Sequence, residues 1–113
     1  MLLKKVLIIS VFIFLLIKLN KIFSFLFETP LVSIIIPVHN NFNFTYNCIS
    51  SILNAEPLLS YEILIINDFS TDETKLLKQK YFNNYPNIFI YNNNKIQNFL
   101  MNCNQAVKLS RGK

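Results

Sequence analysis

The chain has 113 residues, 52% of them hydrophobic, and a formal net charge of +5. That length allows one small domain at most. Four of the eleven basic residues (Lys4, Lys5, Lys18, Lys21) lie before position 28, which leaves seven basic and six acidic groups from Glu28 onward; no basic face remains there, and nucleic acid is set aside as a partner.

Residues 1–27 open with Met-Leu-Leu-Lys-Lys and continue into an apolar run from Val6 to Ile17 that only Ser10 interrupts. As a helix that run spans about 18 Å, short of a hydrocarbon layer of roughly 30 Å. Extension to Phe27 supplies the length and brings in Lys18 and Lys21, whose long side chains can snorkel to an interface. The favoured reading is an uncleaved signal anchor, a single-pass membrane segment. A cleaved signal peptide is disfavoured because no Ala-x-Ala-like site follows the core, and a buried core helix ranks third. Lysines on both flanks leave the orientation open.

Residues 28–113 alternate strand and helix, the pattern of a parallel sheet. Val32 to Ile36 is an apolar, β-branched run that reads as a buried strand stopped by Pro37. A helix is expected from Thr45 to Leu53, with Cys48, Ile49, Ile52 and Leu53 on one face. Tyr61 to Ile66 is the second strand. A second helix is expected from Thr71 to Tyr81, opened by a Ser70–Glu73 capping box. Asn87 to Tyr91 is the third strand. A third helix is expected from Asn98 to Leu109, burying Phe99, Cys103, Ala106 and Val107. Three strands leave an open edge, so the chain resembles the front half of a domain. Cys48 and Cys103 read as two buried apolar thiols. With a single histidine beside them they cannot close a structural zinc site.

Both leading strands break abruptly into polar residues, Val38-His39-Asn40 and Asn67-Asp68-Phe69-Ser70. Ligands of open α/β sheets bind just beyond the carboxyl ends of the strands. Asp68 there could accept a hydrogen bond from the imide N–H of a base, or it could cap the following helix. His39 and Asn40 could touch base or ribose, or simply form a turn. Asn98, Asn102 and Asn104 surround the start of the third helix, whose amides could face a phosphate. Asn43-Phe44-Thr45 is an N-glycosylation triplet, relevant only to a luminal domain. One glycine in the chain rules out a Gly-rich phosphate loop. No Asp-x-Asp occurs, so the usual oxygen-ligand site for magnesium or manganese is not encoded in these residues.

Four segments, in order and at ordinary separations, resemble the N-terminal half of a family 2 glycosyltransferase, with its nucleotide-diphospho-sugar (GT-A) fold. They are Val32-Ser33-Ile34-Ile35-Ile36-Pro37-Val38-His39-Asn40; Cys48-Ile49-Ser50-Ser51-Ile52-Leu53; Tyr61-Glu62-Ile63-Leu64-Ile65-Ile66-Asn67-Asp68-Phe69-Ser70-Thr71-Asp72; and Asn98-Phe99 followed by Asn104-Gln105-Ala106 and Ser110-Arg111-Gly112. The resemblance implies a truncated three-layer Rossmann-like α/β parallel sheet behind the anchor helix. It also implies a nucleotide-diphospho-sugar donor and a donor site at Pro37, His39, Asn40, Asp68 and Ser70. Asn67 stands where the family usually has the first Asp of its pair, and Phe69 and Asn98 stand where it often has Gly. The family's Asp-x-Asp, which holds a divalent cation (Mg or Mn) on the diphosphate, follows the Ser-x-Gly. The expectations are therefore that residues 1–113 bind no cation, hold no catalytic residue and transfer no sugar alone. The acceptor is not specified. The competing reading is a non-catalytic, membrane-tethered α/β module that binds a nucleotide or a partner.

Overall fold

A computed structural model describes residues 2–27 and 29–112; Met1, Glu28 and Lys113 lie outside the described residues. Helix α1 spans Leu2–Phe27, followed by β1 (Val32–Val38), α2 (Phe42–Asn54), β2 (Tyr61–Asn67), a 3-10 turn (Glu73–Leu76), a π turn (Leu77–Tyr81), β3 (Ile88–Asn92) and α3 (Phe99–Leu109). The three strands form one parallel sheet in the order β1-β2-β3.

β2 is the centre of the sheet, and its six residues from Glu62 to Asn67 are all buried. Alternation divides them between two faces. Ile63 and Ile65 join Ile49 of α2, Leu77, Phe82 and Ile88 in one core. Leu64 and Ile66, equally buried, point to the opposite face, the side on which α3 packs. This is the expected parallel α/β sheet with helices.

Strand β1 continues through Pro37 to Val38, two residues beyond the expected stop. Within the described sheet β1 is an edge strand, and a proline is tolerated where its missing N–H faces away from the neighbouring strand. α2 starts three residues earlier than expected. Asn40 and Asn41 adopt φ of 56° and 60°, left-handed angles that asparagine tolerates, and they turn the chain sharply into the helix. Cys48 is exposed and Cys103 half-buried, and both are free thiols, which corrects the expectation of two buried ones.

The expected α-helix over Thr71–Tyr81 is instead a 3-10 turn followed by a π turn. Leu77 and Phe82 both enter the core, and they are five residues apart. The wider π spacing puts both on one side, with Phe82 N–H donating to the Leu77 carbonyl (3.0 Å). Rings lock this arrangement: Phe42 lies 5.0 Å from Tyr81 and Tyr46 lies 5.4 Å from Phe82, centroid to centroid. The cap is Asp72, which accepts from Thr74 N–H, and not Ser70.

α3 buries a different face from the one expected. Asn102 and Ala106 point inward, whereas Phe99 is 72% and Val107 62% exposed. The reason is a buried carboxylate. Glu62 accepts from Ser33 Oγ (2.6 Å), from Arg111 N–H (2.7 Å) and from Arg111 Nε (2.9 Å), anchoring the end of α3 to the sheet. Gly112 N–H donates to Ser33 Oγ, and a Cβ at this position would stand 2.7 Å from the Ser33 nitrogen, so glycine is required.

α1 is the expected apolar helix, and every described side chain from Ile8 to Asn20 is exposed. Among the described residues, no helix is long and apolar enough to cross a membrane. Replacing Glu62 by alanine strands the Ser33 hydroxyl and the Arg111 amide. We expect a loss of about 2–3 kcal/mol in urea unfolding, and a smaller loss for Arg111→Ala, whose side chain is 42% exposed.

Candidate functional site

Strand register builds the site. Val38, Asn67 and Asn92 are level with one another at the carboxyl ends of the three strands. The next residue of each strand, His39, Asp68 and Asn93, therefore forms a row across the rim. The row is bonded: His39 Nδ1 donates to the Asp68 carbonyl (2.7 Å), and Asn93 Nδ2 donates to Asp68 Oδ1 (3.2 Å). Gln97 N–H also donates to Oδ1 (2.8 Å), and Asn93 Nδ2 reaches Asn102 Oδ1 (2.8 Å). Beneath the row, Asn67 Nδ2 donates to Asn92 Oδ1 (2.7 Å).

Asp68 has 6% of its surface exposed. Burial pushes its carboxyl pKa up, but hydrogen bonds from Gln97, Asn93 and Asn102 and the nearby His39 outweigh that and lower it. The group is thus an anion at neutral pH, held beneath a thin cover at the end of the central strand.

The sequence-predicted residues come together, and their partners separate them into two kinds. Asn40 N–H donates to Ser70 Oγ (2.7 Å), and Asn40 Oδ1 accepts from Thr71 N–H (2.8 Å). Phe42 N–H donates to Asp72 Oδ2 (3.1 Å), so one aspartate caps both α2 and the 3-10 turn. Asn40 and Ser70 thus brace the two loops against each other. His39 is exposed, and the bond at Nδ1 leaves Nε2 as an acceptor, 3.4 Å from Asn40 Nδ2. Pro37 is paired with Ile66, two residues short of the rim.

Asn98, Asn102 and Asn104 take three different places. Asn98 caps α3 by accepting from Met101 N–H (2.9 Å), at a φ of 151° that favours glycine. Asn102 turns inward to the Asp68 network, and Asn104 is exposed. In the glycosylation triplet, Asn43 is exposed in the first turn of α2 and Thr45 is buried.

An open cavity of about 510 Å³ is lined by Asn67, Phe69, Ser70, Thr71, Lys75, Asn92 and Asn93 among others; of the predicted site residues it takes in Ser70, and the Asp68 carboxylate is not part of its lining. Its size is that of a small-molecule site. Sequence reading missed Asn93, Phe69 and Lys75 as lining. Asn93 had a usable signal, since it is the first residue past the third strand. Phe69 is held at φ 58°, left-handed geometry that costs an ordinary residue about 1–2 kcal/mol. No group of three His, Cys, Asp or Glu among the described residues could hold a metal ion.

A three-stranded parallel sheet with helices and a cavity past its strand ends belongs to the open-sheet α/β class, whose ligands bind at the carboxyl ends of the strands. The profile of Glycosyl transferase family 2 matches residues 33–113, and the chain belongs to that family. It is 38% identical over 86 residues to a chondroitin synthase of Escherichia coli, covering 75% of this chain and 12% of that protein. It is 36% identical over 85 residues to an uncharacterized glycosyltransferase of Rickettsia prowazekii (strain Madrid E), covering 75% of this chain and 25% of that protein. The chain thus spans a quarter or less of the length of these relatives. A mannosyltransferase from Pyrobaculum calidifontis, solved in complex with GDP-Man and Mn2+, shares the fold with a TM-score of 0.62 at 17% identity, over 74% of this chain and 25% of that one.

Glu62, Asp68 and Asp72 all have lowered pKa values: burial raises each, and the hydrogen bonds they accept, together with the Arg111 charge at Glu62, outweigh it. The folded chain therefore binds fewer protons than the unfolded chain as pH falls through the carboxyl range. Their stabilisation is present above about pH 4 and is lost as pH drops through the lower folded values. Urea midpoints measured between pH 7 and pH 2 should decline at the acid end, and Asp68→Asn should make that decline shallower.

Proposed function

We propose that this chain forms the donor-nucleotide half of a glycosyltransferase site, binding a nucleotide-diphospho-sugar past the carboxyl ends of β1 and β2. One observation carries the proposal: Asp68, kept ionised past the end of the central strand, sits in the chain between Asn67 and Phe69, which line an open cavity of nucleotide size. A carboxylate accepts from an imide-type N–H, which uracil, thymine and guanine present and adenine and cytosine do not. Pro37 and His39 line the approach to the base, and Asn40 and Ser70 hold the two loops in place. Family membership supports sugar transfer, and the fold neighbour's GDP-Man supports a nucleotide-sugar donor.

We assign membrane attachment to residues 1–27. The support is a helix apolar on every face: consecutive residues Val11 to Ile17 are each 45–63% exposed. A helix apolar all round needs an apolar environment.

Two measurements test these readings. Calorimetric titration of the full chain with UDP, GDP, dTDP, ADP and CDP should show a preference for the first three, and Asp68→Ala, with retained circular dichroism, should weaken it about tenfold. Equal affinity for all five, or an unchanged Asp68→Ala, removes the donor-site assignment. The full chain should float with phospholipid vesicles on a density gradient, and a chain lacking residues 1–27 should stay at the bottom.

A further inference from the structure

Phe69 is the one residue of the rim whose geometry works against its own side chain. Its φ of 58° lies where glycine is comfortable and a bulky residue is strained. The turn that imposes this angle runs through backbone, with Phe69 N–H donating to the Asn67 carbonyl (3.0 Å), and needs no ring. The ring is not recovered as core either, because Phe69 is 49% exposed. None of the ring pairs or cation contacts among the described residues involves it. Strain that packing does not explain, at the mouth of a cavity, marks a residue kept for contact with a ligand.

The cavity supplies the rest of the chemistry. Its floor is amide-rich, with the Asn67–Asn92 pair and Asn93 below the opening. Its wall carries Lys75, which takes part in neither of the described ion pairs. An exposed ring, an amide floor and an unpaired cation suit a planar heterocycle that carries phosphate. We infer that Phe69 is a binding residue whose ring stacks on the base of the donor nucleotide, with Lys75 facing its phosphates. This rests on the donor-site reading above and adds to it a residue that holds the base by its face. Stacking is tolerant of base identity, so Phe69 contributes affinity for any base while Asp68 selects the imide type.

The test separates ring from strain. In the full chain, Phe69→Gly should raise the melting temperature by a few degrees, since the left-handed strain is relieved. The same variant should weaken UDP and GDP binding about tenfold. Phe69→Leu, similar in bulk without a ring, should weaken both nucleotides comparably, and Phe69→Tyr should restore binding to within about twofold. Inorganic pyrophosphate, which has no ring, should bind all four proteins alike. Unchanged UDP and GDP affinity in Phe69→Gly overturns the role of Phe69 and leaves the donor site standing. Pyrophosphate affinity falling together with UDP also overturns it, since the loss is then of the site and not of stacking. A wild-type chain that binds no nucleoside diphosphate overturns both.

Discussion

Two carboxylates buried at opposite ends of β2 hold this structure in register. Glu62, near the start of the strand, takes the backbone amide and guanidinium of Arg111 just past α3. Asp68, just past the strand, takes the Gln97 amide before α3 and, through Asn93, reaches Asn102 inside its first turns. The helix is therefore fixed across the sheet at both ends by charge-assisted hydrogen bonds. Its apolar contribution is slight, since Ala106 is its one fully buried hydrophobic residue. Removing either anion would leave several donors facing a site from which water is mostly excluded.

This arrangement explains why the rim is built of asparagine and aspartate. A loop that closes over a buried anion must present donors, and each donor must itself be satisfied. Asparagine offers a donor and an acceptor on one short side chain, and it tolerates left-handed backbone. Asn40 uses both properties: it turns the chain at φ 56° while its oxygen accepts from Thr71 N–H. Asn67 likewise donates to Asn92 and accepts from Ser70 N–H. The loops after β1, β2 and β3 become one laced surface.

Much of the fold was legible in the residues. The three strands were found within two residues of their ends because each is a short, dense apolar run bounded by polar or proline-containing segments. Asp68 and His39 were legible as site candidates because they follow those runs directly. Elsewhere periodicity misled. α3 carries Phe99 and Val107 at core-like spacing, yet a buried polar network turned Asn102 inward and rotated that face out. Ser70 and Glu73 match a capping box, yet Ser70 Oγ is taken by Asn40 from another loop and Asp72 does the capping. A pattern within one segment cannot register a partner some thirty positions away.

The sequence by itself determined the parallel strands, their order along the chain, the polar break at each carboxyl end and the family to which those breaks belong. All of these are local: they follow from side-chain polarity and backbone preference over a few adjacent positions. Tertiary structure alone decided which polar residues brace and which remain open. Register brought His39, Asp68 and Asn93 into one row, and hydrogen-bond satisfaction consumed Asn40 and Ser70 in lacing the loops. Phe69 was left at the mouth of the cavity in a strained turn. The physical reason is that a buried polar group must find its partner in space, and that partner is set by how strands align, not by which residues are neighbours in the chain.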